Sequence, residues 1–355
     1  MSDKIKLGIS IGDINGIGLE IIIKSVANDV VMNACTPVLY GSSKIVSYHK
    51  NIVENVHFSY QNQHSSDRLQ RDKVNIVNTW NEDVMISLGK PTEESGKYAI
   101  LSLEAAVKDL KEGRIDVLVT APVNKNALKM AGFRYPGHTE YLTHQLGERS
   151  LMLMVSDEMK LGVVTGHMPL SEVSQVMTKE LVSEKLNILL NSLKCDFGVE
   201  KPTVAVLGLN PHAGEEGTMG TEENDIIRPV IIEAKKRGEL VMGPFPADGL
   251  FGSGQYKKFD GILAMYHDQG LVPFKALSFG HGVNFTAGLD FIRTSPDHGT
   301  AYEIAGKNIA NPRSMMRAIF NAIDIFRYRE SYREYSKDPI KKEPKPSEVE
   351  DGTST

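Results

Sequence analysis

Three histidines stand where an apolar run gives way to polar residues. His167 follows the run in "LGVVTGHMPL", His212 follows the one in "VAVLGLNPHAGEEG", and His267 follows the one in "GILAMYHDQGLVPFK". In open parallel sheets, ligands collect beyond the carboxyl ends of strands. Neutral imidazoles delivered there suit a divalent ion and leave coordination positions free for a substrate oxygen or nitrogen. Taken singly, each reads as a hydrogen-bonded structural histidine. Their recurrence at three strand ends beside Gly, Pro and Asp favours a metal set, although the spacing is not a local motif. Asp248 in "PFPADGLFG" and Asp268 could orient imidazoles or add negative charge at the ion. Either could instead cap a helix or turn.

A second group suits an anion. "YPGHTEYLT" offers His138 and Thr139 at an apparent helix start, where free backbone N–H groups favour phosphate or carboxylate. Lys275, Asn284 and Arg293 add two charges and an amide. Arg293 follows the apolar "LDFI" run, where a charge without a purpose is expensive. Thr120, Asn124 and Lys125 in "TAPVNKNAL" sit just past a strand and read equally as a turn entering a helix. The Gly-rich "SIGDINGIGLE" fails the dinucleotide fingerprint, because Ile21 stands where the third glycine belongs. It reads as a tight turn, either structural or bringing backbone close to a ligand with help from Asp13 and Glu20.

The elements that must position these residues alternate. Strands are predicted in "KLGISIG" from Lys6, "DVLVTAP" from Asp116, "KLGVVTG" from Lys160, "TVAVLGLNP" from Thr203 and "GILAMY" from Gly261. Helical stripes fall on Ala99, Leu103, Val107 and Leu110, on Val182, Leu186, Leu189 and Leu193, and on Met315, Ile319, Ala322, Ile323 and Phe326. All three read as core packing. Strands apolar on both faces and separated by helices predict a largely parallel sheet covered on both sides. The "QNQHSSDRLQRDK" stretch from Gln61 reads as a polar surface connection, with His49, His57 and His64 solvated.

The bulk composition excludes some function classes. A net charge of -5 gives no electrostatic footprint for nucleic acid or an anionic membrane, so an anionic ligand must be held locally. Cys35 and Cys195 match no metal or redox spacing, which predicts a reduced cytosolic chain. The N-terminus lacks the apolar core of a signal peptide, and no apolar run approaches the roughly 20 residues of a membrane helix. Residues 337–355, rich in Lys, Glu, Pro and Ser, read as a disordered tail.

With "GDINGIG", "TAPVNK", "PGHTEY", "GHMPL", "LNPHAGEEG" and "YHDQGLVPFK" present in this order, the chain resembles the 4-hydroxythreonine-4-phosphate dehydrogenase family of pyridoxal phosphate biosynthesis. The likeness runs from about Lys6 to about Arg329, and "NPHAGEEG" and "YHDQG" with "PFK" are its most specific pieces. It implies a two-lobed α/β fold like that of isopropylmalate dehydrogenase, with mostly parallel sheets covered by helices and the active site in the cleft between lobes. One lobe would hold 1–125 plus 280–330 and the cofactor side, the other 126–279 with the metal and dimer side. It further implies that His167, His212 and His267 bind a divalent ion (zinc, magnesium or cobalt) across a homodimer interface. His138, Thr139, Lys275, Asn284 and Arg293 would contact a small phosphorylated hydroxy or amino acid. Lys275, or Asp268 through water, would be the base, with Asp248 nearby.

"DHGTAYEIAGKNIANP" from Asp297 looks like the adenosine-binding loop of isopropylmalate dehydrogenases. On that pattern His298, Gly299, Thr300, Ala301, Glu303 and Asn308 contact the cofactor. A carboxylate at Glu303 would accept a ribose hydroxyl and repel a 2′-phosphate, favouring NAD over NADP. The chain departs from the family at Ile14-Asn15, Leu19 and Gly249, where many members carry Pro-Ala, Pro and Thr. Sister enzymes act on threonate or erythronate phosphate. Phosphate acyltransferases share the fold, but use neither NAD nor a three-histidine metal site.

Overall fold

The computed structural model describes residues 4–337 except Asn55, Phe58, Pro136, Glu148 and Phe279, and omits the side chain of Thr139. The stretch expected to be a disordered tail lies outside the described residues, apart from Lys337, which ends the last helix.

Twelve strands form one sheet. They are β1 (Ile5–Ser10), β2 (Cys35–Gly41), β3 (Tyr60–Gln63), β4 (Val74–Asn78), β5 (Val117–Thr120), β6 (Leu151–Val155), β7 (Lys160–Val163), β8 (Thr203–Leu207), β9 (Leu240–Phe245), β10 (Gly261–Ala264), β11 (Val283–Ala287) and β12 (Arg293–Pro296). Their order is β3-β4-β2-β1-β5-β12-β11-β6-β7-β10-β8-β9. Both wings are parallel, as expected for strands joined through helices. The middle is not: β11 runs antiparallel to β12 and to β6, and β6 antiparallel to β7. Strands from 5–120 and 283–296 fill one end of the sheet, and strands from 151–264 the other.

The helices cover both faces. Glu93–Lys111 begins at a capping box between Thr92 and Ser95 and buries Ala99, Leu103, Val107 and Leu110. Lys179–Cys195 starts where Thr178 accepts from the Leu181 N–H, and buries Val182, Leu186, Leu189 and Leu193. Arg313–Lys337 buries Met315, Ile319, Ala322 and Ile323, with Phe326 half-buried against the same core. Among the described residues, no helix is long and apolar enough to cross a membrane.

Two expectations are corrected. Gln61 to Gln63 are the end of edge strand β3, paired with β4, and not a loop; their polarity reflects an edge facing water on one side. His57 and His64 are exposed, but His49 is buried. Its Nε2 donates to the Ile14 carbonyl at 2.9 Å, holding the Gly-rich first loop from below. Burial pushes the His49 imidazole down to about 4 from its ordinary value, so it folds neutral. The unfolded chain binds that proton below about pH 6.5 and the folded chain does not, so stability falls as the pH drops through this window. The loss should reach about 2 kcal/mol from this residue by pH 5. Chemical denaturation of His49→Gln should show close to one proton fewer taken up on unfolding at pH 5.

Candidate active site

β7, β10 and β8 are adjacent and parallel, so the residues after them emerge side by side. His267 opens the helix His267–Ser278 directly after β10, and His167 follows β7. Their rings lie 5.3 Å apart between centroids, at an interplanar angle of 43°. Both line a cavity of about 460 Å3, together with Tyr266 and Asp268. The Asp268 carboxylate accepts from His267 Nδ1 at 2.7 Å, which fixes the proton on Nδ1 and leaves Nε2 as a free lone pair. Glu140 Oε1 stands 3.5 Å from His167 Nδ1, and this contact holds the Glu140 carboxyl below its usual range.

His212 is not part of that pair. It lines an adjoining depression of about 520 Å3 with Asn210, Asp248, Asp268 and Tyr266. Among the described residues of a single chain, no three His, Cys, Asp or Glu side chains are grouped to hold a metal ion. The loop carrying His212 is strained: His212, Ala213, Glu215 and Glu216 have φ of 54, 50, 41 and 55°. This left-handed region costs non-glycine residues about 1–2 kcal/mol each. Buried Glu223 holds the loop, accepting from the Asn210 N–H at 2.7 Å and from Asn210 Nδ2 at 3.0 Å. Asp248 is exposed in the first turn of Ala247–Gly252.

The anion group gathers where β5, β12 and β11 run together. Arg293 is only 3% exposed, although it opens a strand. Its Nε and Nη2 donate to Thr120 Oγ1 at 3.0 and 2.6 Å, and Nη1 to Thr286 Oγ1 at 3.3 Å. Among the described residues no carboxylate lies within ion-pair distance of it. Burial lowers the guanidinium to about 10, so it stays charged at neutral pH. His138, the first residue of His138–Leu146, is buried, and its Nε2 has no partner; burial, then the Arg293 charge, push it down to about 3. Asn284 Oδ1, on β11, is likewise buried and unpartnered. The Arg293 charge and the His138 Nε2 suit a phosphate or carboxylate, while Asn284 Oδ1, an acceptor, suits a hydroxyl or amino group of the same ligand. The side chain of Thr139 lies outside the described residues. Asn124 caps Lys125–Met130, accepting from the Ala127 N–H at 3.0 Å, which is the turn reading of that residue. Lys275 lies 3.4 Å from Asp297, whose carboxyl is raised by burial and partly restrained by that amine.

The turn after β12 is tied to the first loop. The Ile17 N–H donates to the Thr300 carbonyl at 3.0 Å, the Tyr302 hydroxyl to Asp13 Oδ2 at 2.6 Å, and the Ala310 N–H to Glu20 Oε1 at 2.7 Å. A Cβ on Gly16 would stand 2.9 Å from the Thr300 carbonyl oxygen, so the glycine is required by close approach and not by a phosphate. Burial raises Asp13, against hydrogen bonds from Tyr302, Asn15 and Ser95. Ala301 and Asn308 have φ of 42 and 58°, and Asn308 Oδ1 is buried without a partner, a free acceptor for a bound group. Gly299 has open space around it, His298 is half-buried and Glu303 is exposed.

Sequence reasoning missed Glu140, Thr286, Asp297 and the support given by Asn15. Glu140 had a signal, standing two residues after His138 in "HTEY".

An α/β sheet that ends neighbouring strands on imidazoles, beside a buried cation with no ion pair among the described residues, is the frame of an enzyme for a small anionic substrate. A family model described as "Pyridoxal phosphate biosynthetic protein PdxA" matches residues 33–322, and the chain belongs to that family. It is 46% identical over 343 residues to a 4-hydroxythreonine-4-phosphate dehydrogenase of Bacteroides thetaiotaomicron, covering 96% of this chain and 94% of the relative. It is 38% identical to the "Putative D-threonate 4-phosphate dehydrogenase" of Oceanobacillus iheyensis, covering 92% and 99%. Among solved structures, a 4-hydroxythreonine-4-phosphate dehydrogenase of Klebsiella pneumoniae superposes with a TM-score of 0.78 at 32% identity, covering 92% and 98%.

Proposed function

We propose that the protein oxidises 4-hydroxy-L-threonine 4-phosphate, with NAD in preference to NADP, to a β-keto acid that loses carbon dioxide to give 3-amino-2-oxopropyl phosphate, a step of pyridoxal 5′-phosphate biosynthesis. The observation that carries this reading is Arg293: a guanidinium this deeply buried, hydrogen-bonded among the described residues to two hydroxyls, is stable in place when an anionic ligand completes its contacts.

In this mechanism Arg293, Asn284, His138 and Thr139 grip the phosphate and carboxylate, so that the reacting carbon faces the cofactor turn. His138, neutral at working pH, serves as a hydrogen-bonding group and not as a charge. Asp268 is committed to the Nδ1 proton of His267, which leaves Lys275 to receive the substrate hydroxyl proton. Asp297 Oδ1, 3.4 Å from the Lys275 amine, holds that group in place beside the substrate hydroxyl. His167, His212 and His267 would hold a divalent ion (zinc, magnesium or cobalt), which would supply Lewis acidity at the substrate oxygens. His298, Gly299, Thr300, Ala301, Glu303 and Asn308 would hold the dinucleotide, which would supply the hydride acceptor.

Because His167 and His267 pair within one chain and His212 faces a neighbouring depression, the third imidazole comes from a second copy. Leu170 and Val272, 70% and 64% exposed, line the depressions on either side and give that copy apolar surface to cover. The two ends of the sheet then act as the lobes flanking the cleft.

The test is NADH formation with purified protein and a panel of phosphorylated four-carbon acids. The reading expects the highest kcat/KM for 4-hydroxythreonine 4-phosphate; a higher value for threonate or erythronate 4-phosphate would move the protein to the sister activity. Gly249 gives that alternative a physical handle. A Cβ there would meet only Pro246, at 3.8 Å, so the glycine leaves room beside Asp248 that a threonine would fill.

A further inference from the structure

Asn15 is fully buried in the first loop, and every polar group it carries is used. Its Oδ1 accepts from the Ser87 N–H at 2.8 Å, and its Nδ2 donates to the Lys90 carbonyl at 3.0 Å and to Thr92 Oγ1 at 3.2 Å. Its backbone carbonyl takes the Gly89 N–H at 2.9 Å, and its own N–H goes to Asp13 Oδ1 at 2.8 Å. One side chain therefore pins residues 87–92 to the first loop. Those residues in turn pack on the turn after β12. A Cβ on Gly89, at φ 76°, would stand 3.0 Å from the Tyr302 carbonyl oxygen, and one on Gly306 would meet Leu88 at 2.6 Å.

We infer that Asn15 is a positioning residue for the dinucleotide: it locks residues 87–92 against the Thr300–Asn308 turn, so that three segments distant in sequence form one rigid wall of the cofactor site. The inference rests on the reading that this turn holds the cofactor. The chemistry requires an amide, because only an amide both accepts from Ser87 and donates to Lys90 and Thr92. An aspartate would set a carboxylate against the Lys90 carbonyl, and an alanine would leave buried groups unpaired.

The experiment is fluorescence titration of NADH, with steady-state kinetics, on the full-length protein carrying Asn15→Ala, and separately Gly89→Ala. The second variant disturbs the same junction from its half-buried side and decides the matter if the first does not fold. Both should weaken dinucleotide binding about tenfold, while kcat and the KM for the phosphorylated substrate stay within about twofold. Equal weakening of cofactor and substrate would mean general loosening and would overturn the proposal. Glu303→Ala separates the remaining cases. If it weakens NADH while Asn15→Ala and Gly89→Ala do not, the wall is wrong and the cofactor reading stands. If none of the three changes NADH binding, the cofactor lies elsewhere and the inference falls with that reading.

Discussion

Arg293→Met is expected to lower kcat/KM for the phosphorylated substrate by about 1000-fold. Charge-assisted contacts to a buried anion are worth several kcal/mol, and each factor of ten corresponds to about 1.4 kcal/mol. The stability of the ligand-free protein should move the other way. Arg293 is a buried charge whose side-chain hydrogen-bond partners among the described residues are Thr120 and Thr286, so a methionine of similar length removes a desolvation cost and should hold or raise the melting temperature. Inorganic phosphate should stabilise the parent protein by binding its folded form and leave the variant unmoved. Unchanged KM together with retained phosphate stabilisation would remove Arg293 from the anion site.

The second large effect is at His267. His267→Ala should reduce turnover by about 1000-fold or more and leave the protein short of bound metal, with no rescue by added ion. Asp268→Asn should be milder. The amide keeps the shape but loses the charge that fixes the Nδ1 proton, which should weaken metal binding by about 10- to 100-fold. Excess divalent ion should then restore most of the Asp268→Asn activity. Metal content and turnover measured on the two variants test this; equal losses in both, with neither rescued by added ion, would contradict the orienting role of Asp268.

The parts of the fold visible in the sequence are those where apolar periodicity is unmixed. The strands before His167, His212 and His267 are uninterrupted apolar runs, and their adjacency in the sheet follows from a parallel wing. The centre of the sheet was hidden for the opposite reason. β12 reads Arg-Thr-Ser-Pro yet is wholly buried, because Arg293 spends its donors on Thr120 and Thr286, and Thr294 donates to the Ala318 carbonyl at 2.7 Å. No hydrophobic pattern marks a strand whose burial is satisfied by side-chain hydrogen bonds. His49 escaped for a related reason: its partner is a backbone carbonyl thirty-five residues earlier, which no local pattern encodes.

The candidate site was legible as residue types and not as an arrangement. Three histidines after three strands predict neighbours, but one chain pairs only His167 with His267, since the left-handed loop after β8 turns His212 toward its own depression. Asn15 could be seen only as a departure from the family pattern. That it joins the first loop to residues 87–92 depends on contacts more than seventy residues apart along the chain.

The most direct measurement is a crystal structure of the protein loaded with a divalent ion and phosphate, with anomalous scattering locating the ion. The account predicts one ion per site held by His167 and His267 of one subunit and a His212 from the other, with phosphate on Arg293 within reach of the same cleft. An ion bound elsewhere, or rings of these histidines turned to unrelated places across the whole assembly, would contradict it.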